Sequence, residues 1–352
     1  MLTAESSHQF FHKLEIAMHR CILAALFLLL IAMPVLAVSA QTNITTSVPA
    51  SDDEIAAYIA PIERVYANDG LLSRRDFRQV MGEARIYDAP EGRLIETRPQ
   101  GEYFVSVNVV RDGWAEINEG QWVRLSQLQP APISRLAGVV LNGTMNYPIG
   151  WLREITFTSP TPGIVPQATQ ENALDRYTLV NVFAQQEIAG INWLQIGINQ
   201  WVQAAEVAVV NPITPPAGVD SERWVGVDLA AQVITAYEGS TPVFAALVAT
   251  GLDETPTLTG LYHVYARFHA RDMSRGDVGE PFFYWMEDVP YTLYFDGNLA
   301  LHGAYWHDDF GGVRSHGCVN MSLTDAYWIY EFLSAEIDFN NPDDVWPVVV
   351  VY

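Results

Sequence analysis

The chain has 352 residues, with 41 acidic against 19 basic side chains and a formal charge of −22. Nucleic acid binding needs phosphate-neutralising Lys and Arg, so this balance excludes it, along with charge-driven adhesion to an anionic surface. Only 17% of residues are charged and 49% are hydrophobic, so the acidity reflects scarce Lys and Arg rather than a disordered coat, and the length holds two or three cored domains.

Residues 21–40 carry no charge, follow His19-Arg20, and end in the small residues Val38-Ser39-Ala40. That layout predicts a secretory signal over 1–40, with Met18 as an alternative start. An uncleaved anchor is the competing reading, because about 20 apolar residues can span a bilayer. Either reading places the rest outside the cytoplasm, secreted to the wall or periplasm, with membrane contact only through such an anchor. Removing 1–40 takes out Lys13, Arg20, Glu5 and Glu15 together and leaves the net charge unchanged. Residues 41–80 are expected to form a tether and a short helical extension around 53–67. The sequons at Asn43 and Asn142 matter only in a host that glycosylates.

An internal repeat follows. Gly113-Trp114-Ala115-Glu116-Ile117-Asn118-Glu119-Gly120-Gln121-Trp122-Val123 aligns with Asn192-Trp193-Leu194-Gln195-Ile196-Gly197-Ile198-Asn199-Gln200-Trp201-Val202, and both tryptophans recur at one offset (114 to 193, 122 to 201). Alternating strands at 103–110 and 177–183 precede the two copies. Short period-2 strands between Gly, Asn and Asp turns indicate small antiparallel barrels. The pattern resembles bacterial SH3-like domains, here 81–133 and 134–210, the second with a Pro/Thr-rich insertion at 156–170. Such modules bind wall or peptide, or serve as spacers; the paired tryptophans suit core packing at least as well as ligand contact. The segment Asn211-Pro212-Ile213-Thr214-Pro215-Pro216-Ala217-Gly218 sits in a linker, 211–220.

Residues 221–352 form a β-rich unit, with strands at 224–229, 232–237, 242–249 and 345–352. Its one helix is signalled by Ser322 with Asp325 three residues on, then Ala326, Ile329, Tyr330 and Leu333; Asn340-Asn341-Pro342 ends that segment. All five histidines beyond the signal (His263, His269, His302, His307 and His316) fall in this unit. Cys318 is the sole cysteine once Cys21 is removed with the signal, so it has no intramolecular disulfide partner, and an unpaired thiol in an exported protein is a candidate nucleophile. A nucleophilic thiol needs an imidazole or helix N-terminus nearby. His302 follows Leu299-Ala300-Leu301 at a predicted strand end, and His316 lies two residues before the cysteine. Gly317 permits close backbone approach for an oxyanion hole.

His302-Gly303, a loop, then Ser315-His316-Gly317-Cys318-Val319-Asn320 resembles the signature of the L,D-transpeptidase (YkuD) catalytic domain. The strand 224–229, Ala236-Tyr237-Glu238-Gly239, Thr250-Gly251, Thr255-Pro256-Thr257 and Gly260 are similar to the family's opening strands. The resemblance spans 221–352 and leaves 41–210 uncovered. Departures are Leu258, where a Pro is common, and His307-Asp308-Asp309 in the loop 304–314. The expected architecture is mainly β: two SH3-like barrels, then a β-sandwich-like catalytic domain with a C-terminal helix.

The resemblance implies Cys318 as nucleophile and His302 as base oriented by the Gly303 carbonyl. His316 and the Gly317 and Cys318 amides would hold the oxyanion, and Ser315 and Asn320 would hold the motif and contact substrate. Tyr305 and Trp306 are candidates to wall the cleft, and equally to be aromatic core. The implied reaction is acyl transfer on peptidoglycan stem peptides: a donor tetrapeptide loses D-Ala, rests on Cys318 as a thioester, and passes to an acceptor amine as a 3→3 cross-link. A carboxypeptidase or endopeptidase on the same scaffold, and a non-enzymatic wall-binding protein, are the alternatives. His263 and His269 read as surface or structural, His307-Asp308-Asp309 as a solvated loop tip, and residues 282–286 as a buried strand or a flap. His302, His307, His316 and Cys318 lack zinc-site spacing, so no metal or cofactor is expected. A monomer is the default.

Overall fold

Strand Arg223–Asp228 sends Val225 and Val227 to one side and Trp224 to the other, and both sides are buried. It pairs with Val233–Glu238, which pairs with Thr241–Leu247, while Val348–Val351 runs parallel on its other side and Gly260–His263 closes that edge. A second sheet carries Ala266–Arg275, Tyr284–Asp296, Leu299–Gly303 and Val319–Met321. Val225, Val227, Ile234 and Phe244 face Leu293, Phe295, Leu301 and Val319 across one core, each fully buried side chain contributing about 1.5–3 kcal/mol. These coordinates, a computed structural model, describe residues 49–98, 100–276, 283–335, 337, 341 and 346–352. The expected signal and early tether, Phe282, and positions 340, 342 and 345 of the helix terminator and closing strand lie outside the described residues.

Helix Leu323–Ser334 forms where expected. Ser322 caps it, its hydroxyl accepting from the Asp325 amide at 3.1 Å, and Ala326, Ile329, Tyr330 and Leu333 bury the stripe against the sandwich. The Asp325 carboxylate also accepts the Gly138 amide at 2.7 Å. The helix is thus tied to a segment nearly two hundred residues earlier.

The N-terminal half is not a string of beads beside this sandwich. Val139–Leu141 pairs with Thr241–Leu247, and Ile62–Arg64 pairs with Val139–Leu141, so both extend the first sheet. Glu102–Val107 pairs in parallel with Tyr284–Asp296 through Tyr284↔Glu102 and Met286↔Phe104, and brings Asp76–Val80 and Leu128–Pro130 with it. The expected tether over 41–80 therefore contains two sheet strands. Among the described residues there, only Asp52–Ala57 and the short Asp69–Leu72 are helical.

Both repeat copies fold alike. Trp114–Asn118 pairs with Gln121–Arg124, and Ile191–Gly197 with Gln200–Gln203, each with a bulge at the matching place. A 3-10 turn follows each, Leu125–Gln127 and Ala204–Glu206. All four tryptophans are buried and belong to the cores. Among the described residues neither copy closes into a barrel. In the first, the sheet of Leu94–Arg98, Ala84–Tyr87, Gln121–Arg124, Trp114–Asn118 and Val109–Arg111 faces a second sheet whose strand Glu102–Val107 pairs outward with Tyr284–Asp296 instead of closing.

The Pro-rich stretch 211–220 is also packed. Ile213 and Val219 cover the stacked Trp224 and Tyr237, whose rings lie 4.0 Å apart, and the Ile213 amide donates to the Tyr237 hydroxyl at 2.9 Å. The outer face of the first sheet is covered likewise: Val233, Ala245 and Leu247 pack on Ile149, Trp151, Ala208 and Val210. Among the described residues no helix is long and apolar enough to cross a membrane.

Candidate active site

Leu299–Gly303 and Val319–Met321 run parallel, with Leu301↔Val319 and His302↔Asn320 in register. Side chains two apart share a face, so Cys318, immediately before its strand, faces the same side as Asn320 and His302. All three line a cleft of about 510 Å³ with Ser315, His316 and Trp306.

The turn carrying the cysteine is held by a chain of side-chain bonds. Ser315 Oγ donates to the Cys318 carbonyl at 2.5 Å and accepts the Gly317 amide at 3.1 Å. Thr257 Oγ1 donates to the Gly317 carbonyl at 2.8 Å and accepts the Gly251 amide at 2.9 Å. Gly317 has φ +111°, and a Cβ there would stand 2.7 Å from Leu299 Cδ2, so glycine is needed on both counts. Its N–H is spent on Ser315, which corrects its assignment to an oxyanion hole. Gly317 shapes the turn.

His302 is 2% exposed, and its Nδ1 lies 3.3 Å from the Gly303 carbonyl. Donation there puts the ring's lone pair on Nε2. Burial pushes its pKa down to about 4, against a smaller upward pull from Gly303. Burial also pushes the Cys318 thiol up to about 11, partly offset by the Ala300 backbone. Burial thus favours the neutral form of each group. His316 is half-buried, its ring 5.1 Å from that of Tyr284, and burial and Arg275 lower its pKa while Glu102 raises it.

Consecutive residues after His302 diverge. Trp306 lines the cleft with its ring 5.5 Å from His302. Tyr305 does not: it is fully buried, stacks on Phe77 at 3.7 Å, and donates its hydroxyl to the Glu287 carbonyl at 2.5 Å. Of its two readings, cleft wall or aromatic core, the second holds, because the N-terminal Phe77 and Phe104 offer it an apolar pocket. His307 is no solvated loop tip either; it is 3% exposed, with its Nε2 3.0 Å from the Asn320 amide group. The loop is pinned from the second repeat: Arg176 donates to the Asp308 carbonyl at 3.0 Å and to Asp309 at 2.6 Å, and Arg153 to the Gly311 carbonyl. Tyr177 Oη accepts the Phe310 amide at 3.0 Å.

Phe283, Tyr284 and Met286 line the cleft together with Met273 from the strand paired to theirs, so the aromatic stretch is a buried strand and a cleft wall at once. Sequence reasoning missed Met273, Leu252, Val313, Arg314 and above all Glu102, which the first repeat contributes. Only the sheet pairing reveals Glu102. His263 sits at the surface against Asp220 at 2.9 Å, and His269 lies against the Tyr330 ring. Among the described residues no cluster of His, Cys, Asp and Glu could hold a metal ion.

Residues 222–350 match the family model of the YkuD L,D-transpeptidase catalytic domain. No curated protein sequence matches the chain. Among solved structures, the chain is similar to an L,D-transpeptidase (Yku) from Stackebrandtia nassauensis, at 24% identity over 38% of this chain and 56% of that one, TM-score 0.29. It thus spans little more than half the length of that relative. It is also similar to an L,D-transpeptidase from Mycobacterium smegmatis, at 16% identity over 63% and 93% of the two chains, TM-score 0.33. A third is the catalytic domain of an E. faecium L,D-transpeptidase, at 20% identity over 38% and 99%, TM-score 0.30. The matched stretch contains His302, Cys318 and the turn between them, and residues 222–350 belong to the YkuD family of L,D-transpeptidase catalytic domains.

Proposed function

We propose that the chain is an exported cysteine acyl-transferase that forms 3→3 peptidoglycan cross-links. The observation that carries this is His302 and Cys318 lining one cleft, with the imidazole fixed through Nδ1 to Gly303 so that Nε2 is its basic atom. His302 Nε2 takes the Cys318 proton as Sγ attacks the carbonyl that precedes the terminal D-Ala. The Cys318 amide and His316 face the developing oxyanion. The imidazolium then protonates the leaving amine, and D-Ala departs, leaving a thioester. An acceptor amine attacks that thioester, gives its proton to His302, and the released thiolate is reprotonated.

Trp306, Phe283, Met286 and Met273 make much of the wall apolar, which limits competing water while the thioester waits. Glu102 stands at the cleft edge within electrostatic reach of His316, a place where a carboxylate attracts an incoming ammonium. The export reading rests on residues 1–40.

The test is incubation of the purified protein with disaccharide-tetrapeptide and mass spectrometry of the products, with Cys318→Ala alongside. A cross-linked dimer lacking one D-Ala, absent in the variant, is expected. Tripeptide alone would make the enzyme a carboxypeptidase, and turnover by Cys318→Ala would remove the cysteine mechanism.

A further inference from the structure

Two carboxylates line the cleft, Asp309 and Glu102, and only the first is neutralised. Asp309 accepts from Arg176 at 2.6 Å and from Arg314 at 3.3 Å. Glu102 is exposed and makes no hydrogen bond or ion pair among the described residues.

Main-chain pairing, not its own side chain, puts Glu102 there. Arg275, Tyr284 and Glu102 are register partners across three neighbouring strands, with Tyr284 in the middle. Register partners share one face of a sheet, so the three side chains stand in a row. Arg275 is on the far side of Tyr284 and leaves the charge of Glu102 open. On the cleft side Glu102 acts on His316, whose ring lies 5.1 Å from that of Tyr284. Burial and Arg275 lower the His316 pKa against the pull of Glu102. At neutral pH the imidazole therefore does not supply the cation that would cancel the carboxylate.

The thioester that the acyl-transfer reading places on Cys318 has two fates. Water attacks it and releases tripeptide, or an amine attacks it and forms the cross-link. In each the C–S bond breaks, a C–O or C–N bond forms, and the nucleophile's proton returns through His302 to the thiolate. The stem amine arrives as an ammonium and gives its extra proton to solvent before attack. An open carboxylate at the cleft edge concentrates that cation and does nothing for water.

We propose that Glu102 selects a cationic acyl acceptor over water, so that a side chain from outside residues 222–350 sets the ratio of cross-link to hydrolysis. This assignment rests on the acyl-transfer reading for the thioester, and on the unpaired carboxylate for the choice of acceptor.

The test supplies the full chain with disaccharide-tetrapeptide and reads two product ratios by mass spectrometry. One is cross-linked dimer to tripeptide; the other, with added hydroxylamine, is hydroxamate to tripeptide. Hydroxylamine is uncharged at neutral pH. Each ratio divides one thioester between two nucleophiles, so it does not depend on how fast the thioester forms. Glu102→Gln keeps the shape and removes the charge. Its dimer ratio is expected to fall roughly fivefold, the size of one exposed charge pair in contact, while its hydroxamate ratio holds. Salt of about 1 M shortens screening to about 3 Å and should lower the wild-type dimer ratio toward that of the variant, which itself should not respond. An unchanged dimer ratio in Glu102→Gln, an equal fall in both ratios, or a wild-type ratio indifferent to salt overturns the role of Glu102 and leaves the transferase standing. A wild-type protein that forms no dimer defeats the acyl-transfer reading, and this assignment with it.

Discussion

Phe77→Ala cuts the link between the N-terminal half and the catalytic loop without touching the cleft. Phe77 is 4% exposed and stacks on Tyr305 with ring centroids 3.7 Å apart and planes 11° from parallel. Phe104, Met286 and Leu323 complete the cluster, so little can move in to refill the space. Truncating a buried Phe costs about 3–5 kcal/mol, of which about 0.5–1.5 kcal/mol belongs to the ring pair. Tyr305 follows Gly303 by two residues and precedes the cleft-lining Trp306. Displacing reacting groups by about 1 Å can cost roughly 100-fold in rate, so kcat/KM for disaccharide-tetrapeptide should fall by up to that factor. A double-mutant cycle with Tyr305→Ala should return a coupling near the ring-pair value. A Phe77→Ala protein that melts earlier yet turns over at the wild-type rate would refute the reasoning; the N-terminal half would then be attached to the active site without shaping it.

Gly317→Ala places a Cβ 2.7 Å from Leu299 at φ +111°, a strain of about 1–3 kcal/mol, and should abolish turnover and slow Cys318 alkylation; normal alkylation would count against it. The thiol itself, pushed up to about 11, should alkylate about tenfold faster for each pH step of one below that value. A rate already level at pH 7 would mean a preformed thiolate–imidazolium pair. Glu287 is buried at the junction, accepting from Tyr103 at 3.3 Å and Asn118 at 3.1 Å, and burial followed by Asp272 raises its pKa from 4.5 to about 7. Between those values the folded chain holds a proton that the unfolded chain releases, so stability falls as pH rises through the window, by roughly 3 kcal/mol. Asp325 acts in the same direction. Glu287→Gln keeps the acceptor oxygen and should flatten the slope of denaturation midpoint against pH; an unchanged slope would show that Glu287 does not titrate there.

The turn that carries Cys318 was legible because its partners are local. Ser315 bonds to residues two and three positions on, and His302 sits at the end of an alternating strand. The sandwich strands and the Ser322 cap were legible for the same reason. Tyr305 and Trp306 could not be told apart, because which of them turns inward depends on Phe77, far away in the chain. His307 is followed by two aspartates, which reads as a polar tip, yet Arg176 and Ser134 take those carboxylates and leave the imidazole to go inward. The joined sheets left no trace at all. Pairing of Glu102–Val107 with Tyr284–Asp296 is made by main-chain groups that every residue carries, so residue types do not announce it.

The N-terminal half was read as binding modules or spacers, and a mere spacer would leave the loop 304–314 free. Instead it is gripped at separate places: Tyr305 by Phe77 and Phe104, and 308–311 by Arg176, Tyr177 and Arg153 of the second repeat. On the proposed acyl-transfer reading, burial disfavours the Cys318 thiolate, so the base must be in position at the moment of attack. Holding His302, Trp306 and Asn320 in place is then part of the chemistry rather than of the scaffold. Residues from the N-terminal half and from 222–350 thus share sheets and jointly hold the loop 304–314.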